Sequence, residues 1–562
     1  MKTISSILSG IATIAIATGS PIPKSVPTSL SAGDRSGIQE AKNAANLEPA
    51  DDPLITQQAY LKALNAEAGD NFGTSVAIDG DTIVIGANGN TKLTGAAYVF
   101  TRSGSTWTQQ ASLKASNAAA EDRFGGNVAI SGNVIIAGAI GEDSNAAGVD
   151  ANQANNSAKW AGAAYIFARE GTTWKQQAYL KASNAAAGDQ FGWSVAASGE
   201  TVVVGANAEQ SDAKGVNGNQ LDNSLAAAGA AYVFTRSGKT WSQQAYLKAS
   251  NTGKNDTFGW SLAISENTLI AGAPGESSDA PGVNGNQSNN RSRNSGAAYI
   301  FTRRGTEWTQ QAYVKAADFL SGDFFGARVA ISGDTAVAGA FYENSHLTGI
   351  NPPYPEYFEA LYSGAAYVFT RHDVTWTQQA YLKASNTGEG DLFGISVAVS
   401  GKTAVVGAYY EDSGSLGVDG DQTDEGASES GAAYIFNDLG PPRAPEIEVK
   451  QLAGSILIDG ETRKNFGTVK VGKTGSIKTF IIKNTGTANL TGLTLVKKGV
   501  QKGDFIITAP ARTSLGPDES TRFTVTFKPA AIGTRNAAIH IKSNDADENP
   551  FDIKLTGSGS AP

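Results

Sequence analysis

The stretch GAAYVFTRSGSTWTQQASLKAS, residues 95–116, returns with few changes from Gly162, Gly229, Gly296 and Gly364. From Gly431 only its front half, GAAYIF, is present. A copy of the missing back half, TQQAYLKAL, stands alone at residues 56–64. The fold has to explain why one unit is cut in two and its pieces placed at opposite ends of an array.

Phe-Gly pairs mark the same period, at Phe72, Phe124, Phe191, Phe258, Phe325 and Phe393. From the second pair onward the step is 67 or 68 residues. The first step is 52, because the segment after Ala87 is short. Within a unit the apolar residues alternate with period two, the signature of strands. In the first unit, residues 72–78, 82–87, 95–102 and 107–115 read as four strands joined by tight, Gly-containing turns. A single four-stranded sheet cannot bury both of its faces, so neighbouring units must stack as a solenoid or as a ring of blades. The divided unit favours the ring. Residues 56–64 have the sequence of the strand that the last unit lacks, and pairing the two leaves no open edge. The expected fold is therefore all-β: a six-bladed β-propeller (54–437) closed by an N-terminal strand, then an immunoglobulin-like β-sandwich (446–562).

The units resemble FG-GAP repeats, the blades of the integrin α-chain head, through segments such as FGWSVAASGETVVVGANAEQ (191–210) and FGWSLAISENTLIAGAPGES (258–277). They are especially similar to those of bacterial exported proteins. The resemblance implies a propeller that presents loops to a ligand. Calcium loops of the integrin type would lie between the first two strands of a blade, where this chain has only a tight SGD-like turn. Residues 438–445, with Pro441, Pro442 and Pro445, read as a stiff linker. Beyond it, FGTVKVGKTGSIKTFIIKN (466–484) and SNDADENPFDIKLTG (543–557) resemble choice-of-anchor D modules of bacterial surface proteins, related to the ASPM–SPD-2–Hydin group. That resemblance implies a spacer or attachment role.

The loop between the second and third strands varies most and repeats a core of GVDANQ, GVNGNQ or GVDGDQ. Its Asp and Asn spacing suits a hard cation such as calcium, with Asp419, Asp421 and Asp424 the metal-ligand candidates. The competing reading is an Asx-rich surface turn in which these side chains bond their own backbone. Asp70, Asp122, Asp189, Asp256, Asp323 and Asp391, each two residues before a Phe-Gly pair, read as caps on the turns between blades. In the fifth unit the loop core is replaced by GINPPYPEYFEALY (349–362), whose tyrosines suit a partner or a sugar face.

No catalytic residue and no cofactor is assigned. The three histidines, His346, His372 and His540, have neither metal-ligand spacing nor a nucleophile partner, and Gly-rich phosphate loops are missing. The absence of cysteine excludes disulfides and thiolate chemistry. A net charge of -9 without a basic stripe argues against a nucleic-acid partner. Residues 1–32 read as a signal peptide, 33–53 as a linker, and no later apolar run approaches spanning length. The expectation is a secreted or cell-surface, non-enzymatic adhesion protein for an extracellular protein or glycan, without stable membrane insertion once the signal is cleaved. The alternatives are an exported carbohydrate-active enzyme using carboxylates on one propeller face, and a structural envelope component without a ligand.

Overall fold

The computed structural model describes residues 58–562 apart from 90–91, 353–359, 416–419, 425, 440–444, 453–455, 487 and 546–547. The signal peptide and linker expected for residues 1–53 lie outside the described residues. The chain divides into two compact units, Met1–Leu439 and Gly440–Pro562. No α-helix occurs among the described residues, and none is long and apolar enough to cross a membrane.

In the first repeat, Phe72–Asp79, Thr82–Ala87, Ala96–Ser103 and Thr106–Leu113 pair in sequence order as an antiparallel meander. Four further sheets repeat this order. The sixth has three strands, Phe393–Ser400, Thr403–Ala408 and Ala432–Phe436. The second strand is buried on both faces in repeats 2 to 5, which explains its continuous apolar runs such as VIIAGA and TVVVGA.

Sheet stacks on sheet in a fixed way. The Gly that opens each third strand bridges to the Phe of the next repeat's Phe-Gly pair, as in Gly162↔Phe191 and Gly229↔Phe258. That Phe packs edge-on against the Tyr and Phe of its own GAAYxF strand: Phe191 lies 5.3 Å from Tyr232 and 6.2 Å from Phe234. The Gly of VGA is required by the close approach. A Cβ on Gly205 would stand 2.2 Å from the Gly259 carbonyl oxygen of the next sheet, and one on Gly272 would stand 1.9 Å from that of Gly326. Gly205→Ala must therefore prise two sheets apart, and it is expected to cost about 1–3 kcal/mol, read as a lower thermal midpoint. Along the outer strands, Trp174, Trp241, Trp308 and Trp376 donate their indole N–H to Gln110, Gln177, Gln244 and Gln311 of the preceding repeat at 2.7–2.8 Å. Each indole also lies beneath the Arg that ends its neighbouring third strand, 4.9–5.7 Å away.

The N-terminal segment enters this ladder against repeat 1, in the repeat's own register. Trp107 donates to Gln58 at 2.8 Å, and the Leu64 N–H donates to Gln109 at 3.0 Å. These are the contacts that Trp174 makes with Gln110 and that Ser116 makes with Gln176 one repeat later. Residues 58–64 thus sit against repeat 1 as a fourth strand of a preceding blade would. Pairing of this segment with Ala432–Phe436 is not seen among the described residues, and Thr56 and Gln57 lie outside them. Two apolar faces stay bare as a result. Val405 (40 % exposed) and Ile435 (67 %) on repeat 6 are the counterparts of Val337 and Val368, which are fully buried. Val76 (68 %) and Ile78 (64 %) on repeat 1 match Val128 and Ile130, each 8 % exposed.

The second unit is a sandwich of two four-stranded sheets. One orders Ile447–Gln451, Ile477–Asn484, Ser520–Phe527 and Phe505–Ile507. The other orders Arg463–Lys470, Phe551–Ser560, Gly533–Lys542 and Thr494–Lys498, with its first pair parallel. Alternate inward residues, among them Phe480, Ile482, Phe523, Val525, Ile539 and Ile553, form its core.

Candidate functional site

Second-to-third-strand loops and the connections between repeats leave the sheets at the same end, so this end gathers the variable residues. Beneath it lies a buried polar clasp that recurs from repeat to repeat. In repeat 3, Glu209 follows the second strand and accepts from Lys248 Nζ at 2.7 Å, Tyr246 Oη at 2.9 Å and Asn184 Nδ2 at 2.8 Å. Asn184 belongs to the preceding repeat's KASN segment, and its Oδ1 accepts from Tyr232 at 2.6 Å. One carboxylate therefore ties together two strands of its own sheet and the neighbouring sheet. Glu142 with Lys181 and Asn117, and Glu276 with Lys315 and Asn251, repeat the arrangement. In repeat 5 Glu343 pairs with Lys383 at 2.7 Å, and Asp318 stands where the Asn would be. Burial pulls each of these lysines below its ordinary pKa while the paired carboxylate opposes the fall. Sequence reasoning missed this clasp. Its signal was the LKAS lysine, an ionisable residue recurring at an otherwise apolar position.

The aspartates before the Phe-Gly pairs take the capping role read from the sequence. Asp122, Asp189, Asp323 and Asp391 accept the backbone N–H of the residue three positions earlier at 2.5–2.8 Å. Burial pushes Asp122 up to about 6, Asp189 and Asp256 to about 7 and Asp323 to about 8. The folded state thus holds protons that the unfolded chain releases near pH 4, and this contribution to stability is complete only below that pH. It is lost as pH rises toward 8, at about 1.4 kcal/mol for each unit within a group's window. Thermal midpoints should therefore fall between pH 5 and 8.5, and Asp323→Asn, which keeps the acceptor, should flatten the upper part of the decline.

The metal-ligand candidates are placed as follows. Asp421 Oδ1 accepts the Thr423 N–H at 3.0 Å and its hydroxyl at 2.7 Å, and Asp424 Oδ1 accepts the Gly426 N–H at 2.9 Å. Both make Asx-type turns with their own backbone, and Asp419 lies outside the described residues. A separate carboxylate group, Glu446, Asp545 and Glu548, converges in the sandwich with ligand oxygens within 4.8 Å of one another. Asp545 Oδ2 there accepts the Ile447 N–H at 2.8 Å. Glu446 lies about a hundred residues before Asp545 and Glu548, so no spacing revealed the group.

Aromatic residues collect at the same end on repeats 5 and 6. Tyr342 lies 4.5 Å from Phe341, 5.4 Å from Phe324 and 5.0 Å from Tyr362. Tyr409 and Tyr410 hold the corresponding positions on repeat 6, 4.7 Å apart and exposed. Burial raises the Tyr342 pKa, and the Tyr362 and Tyr410 hydroxyls add to it. Repeats 1 to 4 have Asn88-Gly89, Ile140-Gly141, Asn207-Ala208 and Pro274-Gly275 here. Tyr354, Tyr357 and Phe358 of the distinctive loop lie outside the described residues.

Six stacked antiparallel sheets followed by a sandwich define a propeller-type repeat protein with an immunoglobulin-like module. Known families agree. The FG-GAP repeat model matches residues 55–100, 107–167, 174–234, 241–301, 308–369 and 376–436, and the HYDIN/CFA65/VesB-like Ig-like domain model matches 458–558. The chain belongs to the FG-GAP repeat family and carries a C-terminal Ig-like domain. No curated protein matches it. Solved structures similar to it include the ASH/PapD-like domain of human CEP192, at 16% identity over 23% of this chain and 95% of that one, TM-score 0.16. A protein of unknown function from Porphyromonas gingivalis is 14% identical over 41% of this chain and 96% of that one, TM-score 0.17. The CARDB domain from Pyrococcus furiosus is 17% identical over 21% and 99%, TM-score 0.15.

Proposed function

We propose that the chain is an exported, non-catalytic adhesion protein whose closed six-bladed propeller presents the aromatic group of repeats 5 and 6 to an extracellular glycan or protein, with the Ig-like domain as spacer or attachment module. The observation that carries the reading is the break in repeat symmetry. Tyr342 and Tyr410 stand where repeats 1 to 4 have Gly89, Gly141, Ala208 and Gly275, and they bring Phe341 and Tyr362 of repeat 5 and Tyr409 of repeat 6 into ring contact. Rigid rings half out of water are what a sugar face or an apolar anchor of a partner requires. Ring closure is supported by the two bare faces and by the Trp107–Gln58 contact in the repeat's own register.

A glycan array and an extracellular-protein screen with the full chain test the binding reading. Tyr342→Ala and Tyr410→Ala should each weaken a ligand found this way about 5-fold, the equivalent of ~1 kcal/mol of ring contact. Binding that survives both substitutions unchanged, or turnover of a polysaccharide abolished by one carboxylate substitution, would remove it.

A further inference from the structure

One position on the first strand breaks the repeat and leaves a cation unanswered. Ser75, Asn127, Ser194, Ser261 and Ser396 occupy it in five repeats, and repeat 5 has Arg328. Elsewhere the short side chain ties its sheet to the next one. Ser75 donates to the Gly125 carbonyl at 3.0 Å, Ser194 to that of Gly259 at 2.7 Å and Asn127 to that of Trp193 at 2.5 Å. Ser261 Oγ accepts the Val329 N–H at 3.1 Å. Arg328 makes no bond to the next repeat among the described residues. Its Nη1 donates to the carbonyl of its own neighbour, Ala327, at 2.8 Å.

The side chain leaves its strand toward repeat 6. Ser332, four residues on along a regularly paired strand, accepts the Gly401 N–H of that repeat at 3.0 Å. The alternate residues Val329 and Ile331 pack with Ile270 and Ala298 of repeat 4. First strands of successive repeats lie closer together than fourth strands do, so Arg328 stands on the inner side of the array. It is half-buried, and Ala327 and Val329 on either side of it are buried. Ala327 puts a small side chain next to it where repeats 3 and 4 have Trp193 and Trp260, whose rings lie 4.8 Å apart.

No carboxylate pairs with this guanidinium among the described residues, whereas Arg102, Arg236 and Arg371 at the ends of third strands meet Asp81, Glu200 and Asp334. Burial lowers the Arg328 pKa with no neighbouring charge to oppose the fall, while Glu276 opposes that of Lys315. A rigid fork of N–H donors is thus held between two sheets with a single backbone carbonyl to satisfy it. Such a fork matches the paired oxygens of a carboxylate, phosphate or sulfate.

We propose that Arg328 anchors a site for a small oxyanion between the first strands of repeats 5 and 6, where its free N–H groups donate to two oxygens of phosphate, sulfate or a carboxylate. The inference needs neither ring closure nor the aromatic group.

The test is calorimetric titration of the full chain with sodium phosphate, sulfate and acetate, set against sodium chloride at matched ionic strength. At least one oxyanion should bind saturably at one site. It should raise the thermal midpoint by about 2–4 °C at roughly ten times its dissociation constant. Arg328→Ser restores the residue found in four other repeats and should fold with unchanged circular dichroism. It should weaken the binding about 10-fold or more, the usual loss for a charged hydrogen bond, and remove the midpoint shift. Arg328→Lys keeps the charge without the fork and should weaken binding about 3-fold or more. No saturable binding by any of the three oxyanions, or parental affinity in either variant, would overturn the proposal.

Discussion

Lys248→Ala should destabilise the propeller unit by about 3–5 kcal/mol, far more than loss of a surface lysine. Lys248 and Glu209 are both fully buried, and Lys248 Nζ also donates to the Ser211 carbonyl at 2.9 Å. Removing the lysine leaves a carboxylate out of water with only the neutral donors Tyr246, Asn184 and Ser211 to answer it. Most of the cost is the stranded charge rather than the lost attraction. The double variant Lys248→Met with Glu209→Leu should therefore recover much of the stability. Thermal and urea midpoints of the three variants decide the matter. A single-variant loss below ~1 kcal/mol would mean that the clasp does not hold neighbouring sheets together.

The second large effect concerns closure. Glu411 is buried, and its Oε2 has no hydrogen-bond partner among the described residues, while Oε1 accepts from Asn386 at 2.7 Å. In repeats 2 to 5 the equivalent carboxylate meets a lysine from the fourth strand. Among the described residues repeat 6 has no fourth strand of its own, and Lys62 of the N-terminal segment holds that position in the repeat, with Tyr60 standing for Tyr246. Gly407 fits the same pattern. A Cβ there meets only its own sheet's Ser396, whereas on Gly339 it would stand 2.1 Å from the Gly394 oxygen of the next repeat.

If residues 58–64 complete repeat 6, Lys62→Glu should cost about 3–5 kcal/mol and the exchange Lys62→Glu with Glu411→Lys should restore most of it. An unclosed array would leave Lys62→Glu within ~0.5 kcal/mol of the parent. The chain has no native cysteine, so Lys62→Cys with Glu411→Cys gives a direct reading. Bridging the two with a bis-maleimide, since a lysine–glutamate pair spans more than a disulfide can close, should yield a cross-linked monomer. Cross-linked dimers and higher species would show that the bare faces of repeats 1 and 6 meet in separate molecules instead.

Much of this was legible in the sequence because strands announce themselves locally. GAAYVF and TIVIGA alternate or run apolar over the lengths of the observed strands, and the turns between them carry Gly where the chain reverses. The Asp caps were legible for the same reason, since an Asx bond spans three residues. The clasp was not, because Glu209 lies 25 residues from Asn184 and 39 from Lys248, and the three meet only when sheets stack. The carboxylate group of the Ig-like domain was hidden in the same way, with Glu446 near the first strand of the sandwich and Asp545 near its last.

By itself, the sequence determined the number of repeats, the strands within each, the sandwich that follows and the displaced half-unit. All of these follow from short-range periodicity and from side-chain types that tolerate few backbone conformations. Only the tertiary structure decided which lysine meets which carboxylate and which rings of repeats 5 and 6 meet. The reason is that burial, not sequence, fixes the energy of a charge. A lysine at an apolar position is a small anomaly in a string of letters. It becomes a strong constraint once two sheets have excluded water around it.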